Sequence, residues 1–457
     1  MRRKFAAFKN KLITILPEGS FARNLAVTLS GNAGAILLGL AFTPFIARLY
    51  GPQAYGVFAL FAALINNISP VVTWQYPTGY TTIRNHEEFI GVVQLTVMAV
   101  LAFSFLSGLG LFFYGTTLLH QLKLAELVAY RWLFPLYFLF IGFDQITRGW
   151  AIRLGAFNRM AAGRIGATLV SKGTTLVFGY AFYVNALGLM LGDLLQYPAD
   201  TLARWSRTMR VECKELIKRW HITGKILRQY RAYPKYVTTG LLLSNFSNQL
   251  PVYVLSYSFN QSVVGLFAMA NNLVTLPMNV LIMSATTVFL KKASELHHER
   301  PEALREAILR LYRQLTRIGM GALLALALLA QPVFLVLFGK AWSESGVYAS
   351  LLAVSLVPAV AAQPLSTLFR VWNRERINFM INAIGIAVKV AALLGGAQLQ
   401  SVRALLLLYA LAVIAVNYGT LWTIFFISRL PKGEVIRDMV ITLLLLTGVA
   451  IFCNFVF

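Results

Sequence analysis

The sequence is poor in acidic residues and in cysteine. Only 17 of its 457 residues are acidic, and charged residues of both signs make up 13% of the chain. A soluble globular chain carries about 25% charged residues, so this composition argues against a set of large soluble domains. The two cysteines, Cys213 and Cys453, fall in a basic loop and in the last apolar segment. That placement argues against a disulfide framework.

The chain also lacks the motifs of nucleotide-driven and catalytic proteins. No glycine-rich phosphate loop of the Walker type occurs, so ATP is not expected as the direct energy source. No nucleophile–base arrangement is visible, and the adjacent His297 and His298 do not suit metal ligation from one helix face. We therefore expect no catalytic residue, no metal and no cofactor, with H⁺ or Na⁺ as a candidate coupling ion.

Long apolar segments are abundant instead. Hydrophobic residues make up 58% of the chain, and runs of about 20 apolar residues recur, each long enough to cross a bilayer core of about 30 Å. This pattern predicts an all-α polytopic membrane protein. The predicted spans are 25–47, 54–76, 89–114, 127–149, 162–184, 187–204, 237–258, 263–289, 315–338, 347–371, 377–397, 403–427 and 437–456. The last segment is either a thirteenth span or a helix lying along the interface.

The net charge of +24 is distributed by loop. Of the 41 basic residues, 34 fall in the N-terminal segment and in every second loop after it. Basic loops stay in the cytoplasm, so the N-terminus is expected inside. Nucleic-acid binding is disfavoured, because a phosphate-binding surface would not alternate with apolar spans. The basic, amphipathic segment 1–23 is expected to lie on anionic lipids of the inner leaflet.

A weak internal repeat divides the chain. The segment 49–60 aligns without gaps with 258–269, and Gly56, Phe58 and Ala59 coincide with Gly265, Phe267 and Ala268. Each copy joins the first two helices of a predicted six-helix set, so the two sets should run parallel about an axis along the membrane normal. The predicted organisation is a basic leader (1–23), a first six-helix bundle (24–204), a basic cytoplasmic linker (205–236), a second six-helix bundle (237–428) and a C-terminal hydrophobic helix (429–457).

Two lysines lie near the middle of predicted spans. Lys172 is in the fifth helix and Lys389 in the eleventh, which are equivalent positions in the two halves. A charge at mid-bilayer costs about 2.5–3.5 kcal/mol on insertion scales, so it should face a wet cavity or a partner. The functional interpretation is an anion-binding site. The alternative is that each lysine satisfies a nearby helix end or a carboxylate.

Three further charged residues are candidates for gating or ion coupling. Asp144 and Arg148 are four residues apart, which places them on one helix face. They form either an intrahelical ion pair or a gate or coupling-ion site. Asp193, in the sixth helix, is a possible partner of Lys172.

Amide side chains are the candidate sugar contacts. They occur on the first, second, seventh and eighth predicted helices, and hydrogen bonding between helices is the common alternative, worth about 0.6–2 kcal/mol each. The residues assigned to substrate binding beside the lysines are Asn32, Asn245, Asn248, Gln249 and Asn271.

The sequence resembles the Wzx-type polysaccharide flippases of the multidrug/oligosaccharidyl-lipid/polysaccharide (MOP) exporter superfamily. The resemblance rests on the hairpin over 47–58, on Tyr233-Pro234-Lys235-Tyr236 leading into Asn248-Gln249-Leu250-Pro251, on 265–271 followed by Leu276-Pro277, and on the turn Phe338-Gly339-Lys340-Ala341-Trp342. It covers roughly 20–430, and a thirteenth span would depart from the family's twelve-helix core.

The resemblance implies a V-shaped pair of bundles around a cationic cavity in the bacterial inner membrane. The implied function is alternating-access transfer of undecaprenyl-pyrophosphate-linked oligosaccharides for O-antigen or exopolysaccharide synthesis. A polysaccharide polymerase and a chain-length regulator are implied partners. Two alternatives stay open. A multidrug cation antiporter should carry an acid in the first helix, and a membrane glycosyltransferase or polymerase should carry large outer loops or an Asp-x-Asp site; none of these occurs.

Overall fold

A computed structural model describes residues 21–182, 184–218 and 224–455. Within these ranges the chain forms helices and no β-strand. In chain order the helices are α1 (Phe21–Val72), α2 (His86–Phe113), α3 (Gly115–Gln121), α4 (Leu133–Arg153), α5 (Phe157–Ala181), α6 (Ala186–Arg204), α7 (Arg207–Lys218), α8 (Gly224–Gln229), α9 (Thr239–Ser258), α10 (Gln261–Glu299), α11 (Pro301–Phe338), α12 (Ser343–Ser366), α13 (Leu368–Val371), α14 (Glu375–Gln398), α15 (Val402–Ile427) and α16 (Gly433–Phe455). The predicted leader 1–23 lies almost entirely outside the described residues.

Helix α1 contains the first two predicted spans. It is interrupted at Gly51, whose φ of 69° and ψ of 172° are not helical. Only glycine adopts this backbone region without strain, and Pro52 directly after it suits the first turn of a new helix. The sequence correctly predicts two helical segments, and the turn between them is a single-residue break.

Among the described residues, seven helices are long and apolar enough to cross a membrane. Together they contain eight of the predicted spans, because the first covers two. The other five predicted segments also form helices but are shorter or more polar. The seven are Gly31–Val72, His86–Phe113, Gln261–His297, Pro301–Phe338, Lys340–Val371, Glu375–Gln398 and Val402–Ile427. The chain is thus an all-α polytopic membrane protein.

The chain divides into two compact units. Unit 1 comprises the described part of Met1–Tyr50 together with Val57–Gln249, and unit 2 comprises Gly51–Gly56 and Leu250–Phe457. The boundary therefore lies inside α9, whereas the sequence places the start of the second bundle at residue 237. The basic linker 205–236 belongs to unit 1.

The linker is held on unit 1 by polar contacts from α7. Trp150 Nε1 donates to Glu212 at 2.7 Å, and Gln94 donates to the carbonyl of Leu216 at 2.8 Å. The Cys213 thiol on this helix is free, and burial raises its pKa. The side chain of Cys453 lies outside the described residues.

Helix α12 is the central helix of unit 2. Of its most apolar stretch, 94% is buried, and the helix packs against α10, α11 and α15. The C-terminal helix α16 also docks on this unit, since Tyr312 donates a hydrogen bond to Asp438 at 2.8 Å and the hydroxyls of Tyr418 and Thr442 are 2.7 Å apart. These contacts explain how a segment beyond the predicted twelve helices belongs to the fold.

The glycines aligned by the sequence repeat contact each other within unit 2. A Cβ atom placed on Gly56 would lie 1.7 Å from the carbonyl oxygen of Gln261, and one on Gly265 would lie 1.9 Å from that of Pro52. Each glycine thus faces the residue four positions before the other. This reciprocity is the pattern expected of two equivalent segments related by a two-fold axis.

Candidate functional site

Three helices of unit 1 carry polar side chains at intervals of one or two helical turns. The intervals are three, four, seven or eight residues, so each set lies on one helix face. The sets are Tyr137, Asp144 and Arg148 on α4, Arg164 and Lys172 on α5, and Asp193, Tyr197, Asp200 and Arg204 on α6. Helix α6 packs against both α4 and α5, so the polar faces are assembled between packed helices.

The end of this assembly nearest the linker is a network of ion pairs. The guanidinium of Arg204 is 3% exposed and lies 2.7 Å from the carboxylate of Asp144. It also pairs with Asp200, which lies 3.7 Å from Arg164. Arg148 completes the network at 2.7 Å from Asp144. Three arginines and two aspartates from three helices therefore share one cluster, in which Arg204 and both aspartates are buried and the other two arginines are partly exposed.

The cluster requires close helix packing. A Cβ atom on Gly163 would lie 2.9 Å from Oδ1 of Asp200, so only glycine leaves room for this carboxylate. Arg204 pairs with both aspartates, but its own Nε and this carboxylate oxygen of Asp200 stay without a hydrogen bond among the described residues.

Lys172 and Asp193 form a second polar group. The two side chains interact electrostatically, and the hydroxyl of Tyr137 lies beside the same carboxylate. Gln196 Nε2 donates to Oδ1 of Asp193 at 2.6 Å. Lys172 and Asp193 therefore influence each other electrostatically inside unit 1, but no direct ion pair within 4 Å joins them among the described contacts.

Lys389 has a different environment. It is half-buried on α14 of unit 2. Among the described residues, no charged side chain lies close enough to interact with it electrostatically. Such a cation is costly in a membrane span unless water or an anionic ligand reaches it. Of the two lysines, Lys389 is the one whose charge is left for a ligand.

The candidate amides are distributed over both units. Asn32 and Asn248 are exposed, whereas Asn245, Gln249 and Asn271 are half-buried. Nδ2 of Asn245 donates to the carbonyl of Asn66 at 2.8 Å. Asn245 thus joins α9 to α1 within unit 1, while Asn32 and Asn248 are available to a ligand.

Sequence reasoning found two of the five residues of the ion-pair network. Asp144 and Arg148 pair as expected, but Arg164, Asp200 and Arg204 were missed as members. A signal was present: α4 and α6 both carry aspartate and arginine four residues apart, at 144/148 and 200/204. The structure places Arg148, Arg164 and Arg204 each in an ion pair.

The architecture resembles that of known MOP-superfamily transporters. It matches the inward-facing conformation of a multidrug resistance MATE family transporter of this superfamily with a TM-score of 0.63 and 15% identity, over 95% of this chain and 98% of that one. It matches the lipid II flippase MurJ, inward closed conformation, with a TM-score of 0.68 and 14% identity, over 93% of this chain and 92% of that one. At such identities the likeness shows the fold alone, and this chain shares that fold with both transporters.

The family follows from the sequence comparison. Residues 45–347, more than half of the chain, match the model of the family described as "Polysaccharide biosynthesis protein", and the chain belongs to this family. The succinoglycan biosynthesis transport protein ExoT of Rhizobium meliloti (strain 1021) is 25% identical over 345 residues, which cover 73% of this chain and 65% of that protein. The chain therefore spans slightly less than two thirds of the length of this relative.

Proposed function

We propose that the chain is a flippase for lipid-linked oligosaccharides in polysaccharide biosynthesis. The transport protein named above and the lipid II flippase with the same fold support a translocated substrate that joins a sugar to a lipid. Undecaprenyl-pyrophosphate-linked repeat units fit this chemistry. We place the protein in the bacterial inner membrane with its N-terminus in the cytoplasm. A polymerase and a chain-length regulator are the proposed partners downstream.

The observation that carries the proposal is the half-buried Lys389 without an ionic partner among the described residues. Each hydroxyl of a sugar costs several kcal/mol in hydrocarbon, so an oligosaccharide needs a hydrated, polar path. A pyrophosphate moving along that path needs a cation whose charge is not already balanced. Lys389 meets this requirement, and the exposed amides of Asn32 and Asn248 suit sugar hydroxyls.

The test separates substrate binding from internal charge balance. Lys172→Gln alone leaves Asp193 without its cation, so a loss of activity would be ambiguous. The paired variant Lys172→Gln, Asp193→Asn removes both charges and keeps the shape. We expect the paired variant and Lys389→Gln to be inserted and folded yet to lower transport of a labelled lipid-linked saccharide into proteoliposomes about tenfold or more, because a charged hydrogen bond contributes about 1.5–3 kcal/mol.

The control is Lys225→Gln, which removes one exposed charge from the linker. Replacing Lys172 and Lys389 together by alanine should abolish surface polysaccharide in cells. Wild-type transport by Lys389→Gln would refute the role of Lys389. Wild-type transport by the paired variant would show that Lys172 only balances Asp193.

Coupling to H⁺ or Na⁺ through Asp144, Arg148 or Asp193 is a further part of the proposal. The three aspartates of the polar assembly all have cationic neighbours, which disfavours the alternative of multidrug cation antiport. Transport that is indifferent to both proton and sodium gradients would exclude the coupling.

A further inference from the structure

The first half of α11 has one buried face and one basic face. The buried face packs inside unit 2 and consists of Leu304, Ile308, Tyr312 and Leu315. Arg310, Arg313 and Arg317 lie on the opposite, exposed face at intervals of three and four residues. A helix that is apolar on one side and strongly cationic on the other presents an anion-binding surface.

This face forms the floor of an open surface depression of about 450 Å³, lined by residues of α11. Its walls contain three guanidinium groups and one carboxylate, so the lining has an excess of positive charge. The lining residues are Glu306, Leu309, Arg310, Arg313, Gln314, Arg317 and Ile318.

The three arginines differ in how they are held. Arg310 pairs with Glu306 one turn earlier, and Arg313 forms a two-pronged ion pair with Glu434 at the start of α16. Arg317 interacts with Glu434 only at longer range, so its guanidinium N–H groups are not hydrogen-bonded to a carboxylate of the described chain. An oriented Arg313 beside such an arginine is a geometry that suits a phosphate oxygen.

The depth of the arginines matches the headgroup layer. Residues 318–338 of α11 carry no charge, and at 1.5 Å per residue they span about 30 Å, the thickness of the hydrocarbon core. The headgroup layer adds about 5–7 Å on each side. By the same rise Arg317 lies about 1.5 Å and Arg313 about 7.5 Å beyond the apolar stretch, which is the level of lipid phosphates.

The same exposed face continues into the hydrocarbon layer as an uncharged strip in which most side chains are small. Ile318, Gly321, Ala322 and Ala325 are exposed, and a Cβ atom on Gly321 would meet no other atom within 4 Å. A phosphate at the arginines would leave its acyl chain beside this strip. A soluble anion has no acyl chain that could contact this strip.

We propose that this groove is a binding site for an anionic phospholipid such as phosphatidylglycerol. The phosphodiester lies between Arg313 and Arg317 with Arg310 behind it, and one acyl chain follows Gly321 and Ala325. The site is independent of the proposed transport path, because it requires neither Lys172 nor Lys389.

The experiment is native mass spectrometry of the full-length, delipidated protein titrated with phosphatidylglycerol or with phosphatidylcholine. Arg310→Gln with Arg317→Gln should lower retention of phosphatidylglycerol about fivefold for each arginine, since each contributes about as much as a basic residue near an anionic surface. Arg313 is left intact because it holds α16. Arg310→Lys with Arg317→Lys should retain most of the binding, since the charge is kept.

Lys291→Gln with Lys292→Gln is the matched control, because it removes two exposed charges from the end of α10 without touching the depression. Equal losses in the control would reduce the effect to overall charge and overturn the site. Unchanged retention in the Arg310, Arg317 variant would also overturn it. Displacement of the lipid by millimolar inorganic phosphate would assign the groove to a soluble anion, and preferential displacement by undecaprenyl pyrophosphate would assign it to the proposed substrate.

Discussion

At the scale of single residues, the buried charges of unit 1 are the most constrained feature. Arg204 lies between Asp144 and Asp200 in a buried network, so its charge is compensated only by those two carboxylates. Sequence alone suggests a pair of four-residue spacings. Which aspartate meets which arginine depends on the rotation of α4 and α6 about their axes, and that rotation is fixed by packing.

Arg204→Met should be strongly destabilising, because it leaves two buried carboxylates without their shared cation. Removing one partner of a buried ion pair costs about 3–5 kcal/mol. The change is measured as a loss of thermal stability of the purified protein in detergent. Arg207→Met, three residues later and exposed, is the control and should unfold at the wild-type temperature.

Combining Arg204→Met with Asp144→Asn and Asp200→Asn should recover much of this stability, since the buried part of the ion-pair network then carries no charge. If Arg204→Met alone unfolded like Arg207→Met, the network would have no role in stability.

At the scale of elements, the meeting of Gly56 and Gly265 depends on the absence of side chains. Gly56→Ala and Gly265→Ala would each place a methyl group within 2 Å of a backbone carbonyl, so the helical segments must separate. Both variants should unfold at a lower temperature than wild type. Gly39→Ala is the matched control, because its added Cβ meets nothing within 4 Å and alanine favours a helix interior by about 0.5–1 kcal/mol. Equal stability of Gly56→Ala and Gly39→Ala would contradict the close approach.

The docking of α16 carries a pH dependence through Glu434. Hydrogen bonds from Arg313 hold the pKa of Glu434 below its ordinary value of 4.5. A carboxyl group whose pKa is lowered by folding stabilises the folded state above its unfolded pKa, and this stabilisation is lost as the pH falls through the folded value.

Glu434→Gln should therefore lower the unfolding temperature relative to wild type at pH 7. The difference should shrink as the pH is lowered below 4.5, because wild-type Glu434 is then increasingly protonated. Thermal unfolding of both proteins over this pH range measures it, and a difference independent of pH would show that the carboxylate charge is not involved.

At the scale of the whole molecule, hydropathy located the helices well, and each predicted span corresponds to a helix. The compact units were less accessible to sequence reasoning. The composition changes at the basic linker, but the structure divides inside α9, at Gln249, and assigns Gly51–Gly56 to the later unit. Such a division depends on which surfaces pack, and composition along the chain does not contain that information.

The low acidic content of the chain has a structural counterpart. In the helices that form the polar assembly of unit 1, the few aspartates are matched with arginines or lysine, whereas Lys389 has no such match among the described residues. The sequence by itself determined the helical membrane class, the separation of the first two spans and the family, because apolar length, the gap between apolar runs and ordered motifs are local properties. Only the tertiary structure decided which charges are balanced, since an ion pair between helices depends on their rotation and distance, and these are fixed by side-chain packing from distant parts of the chain.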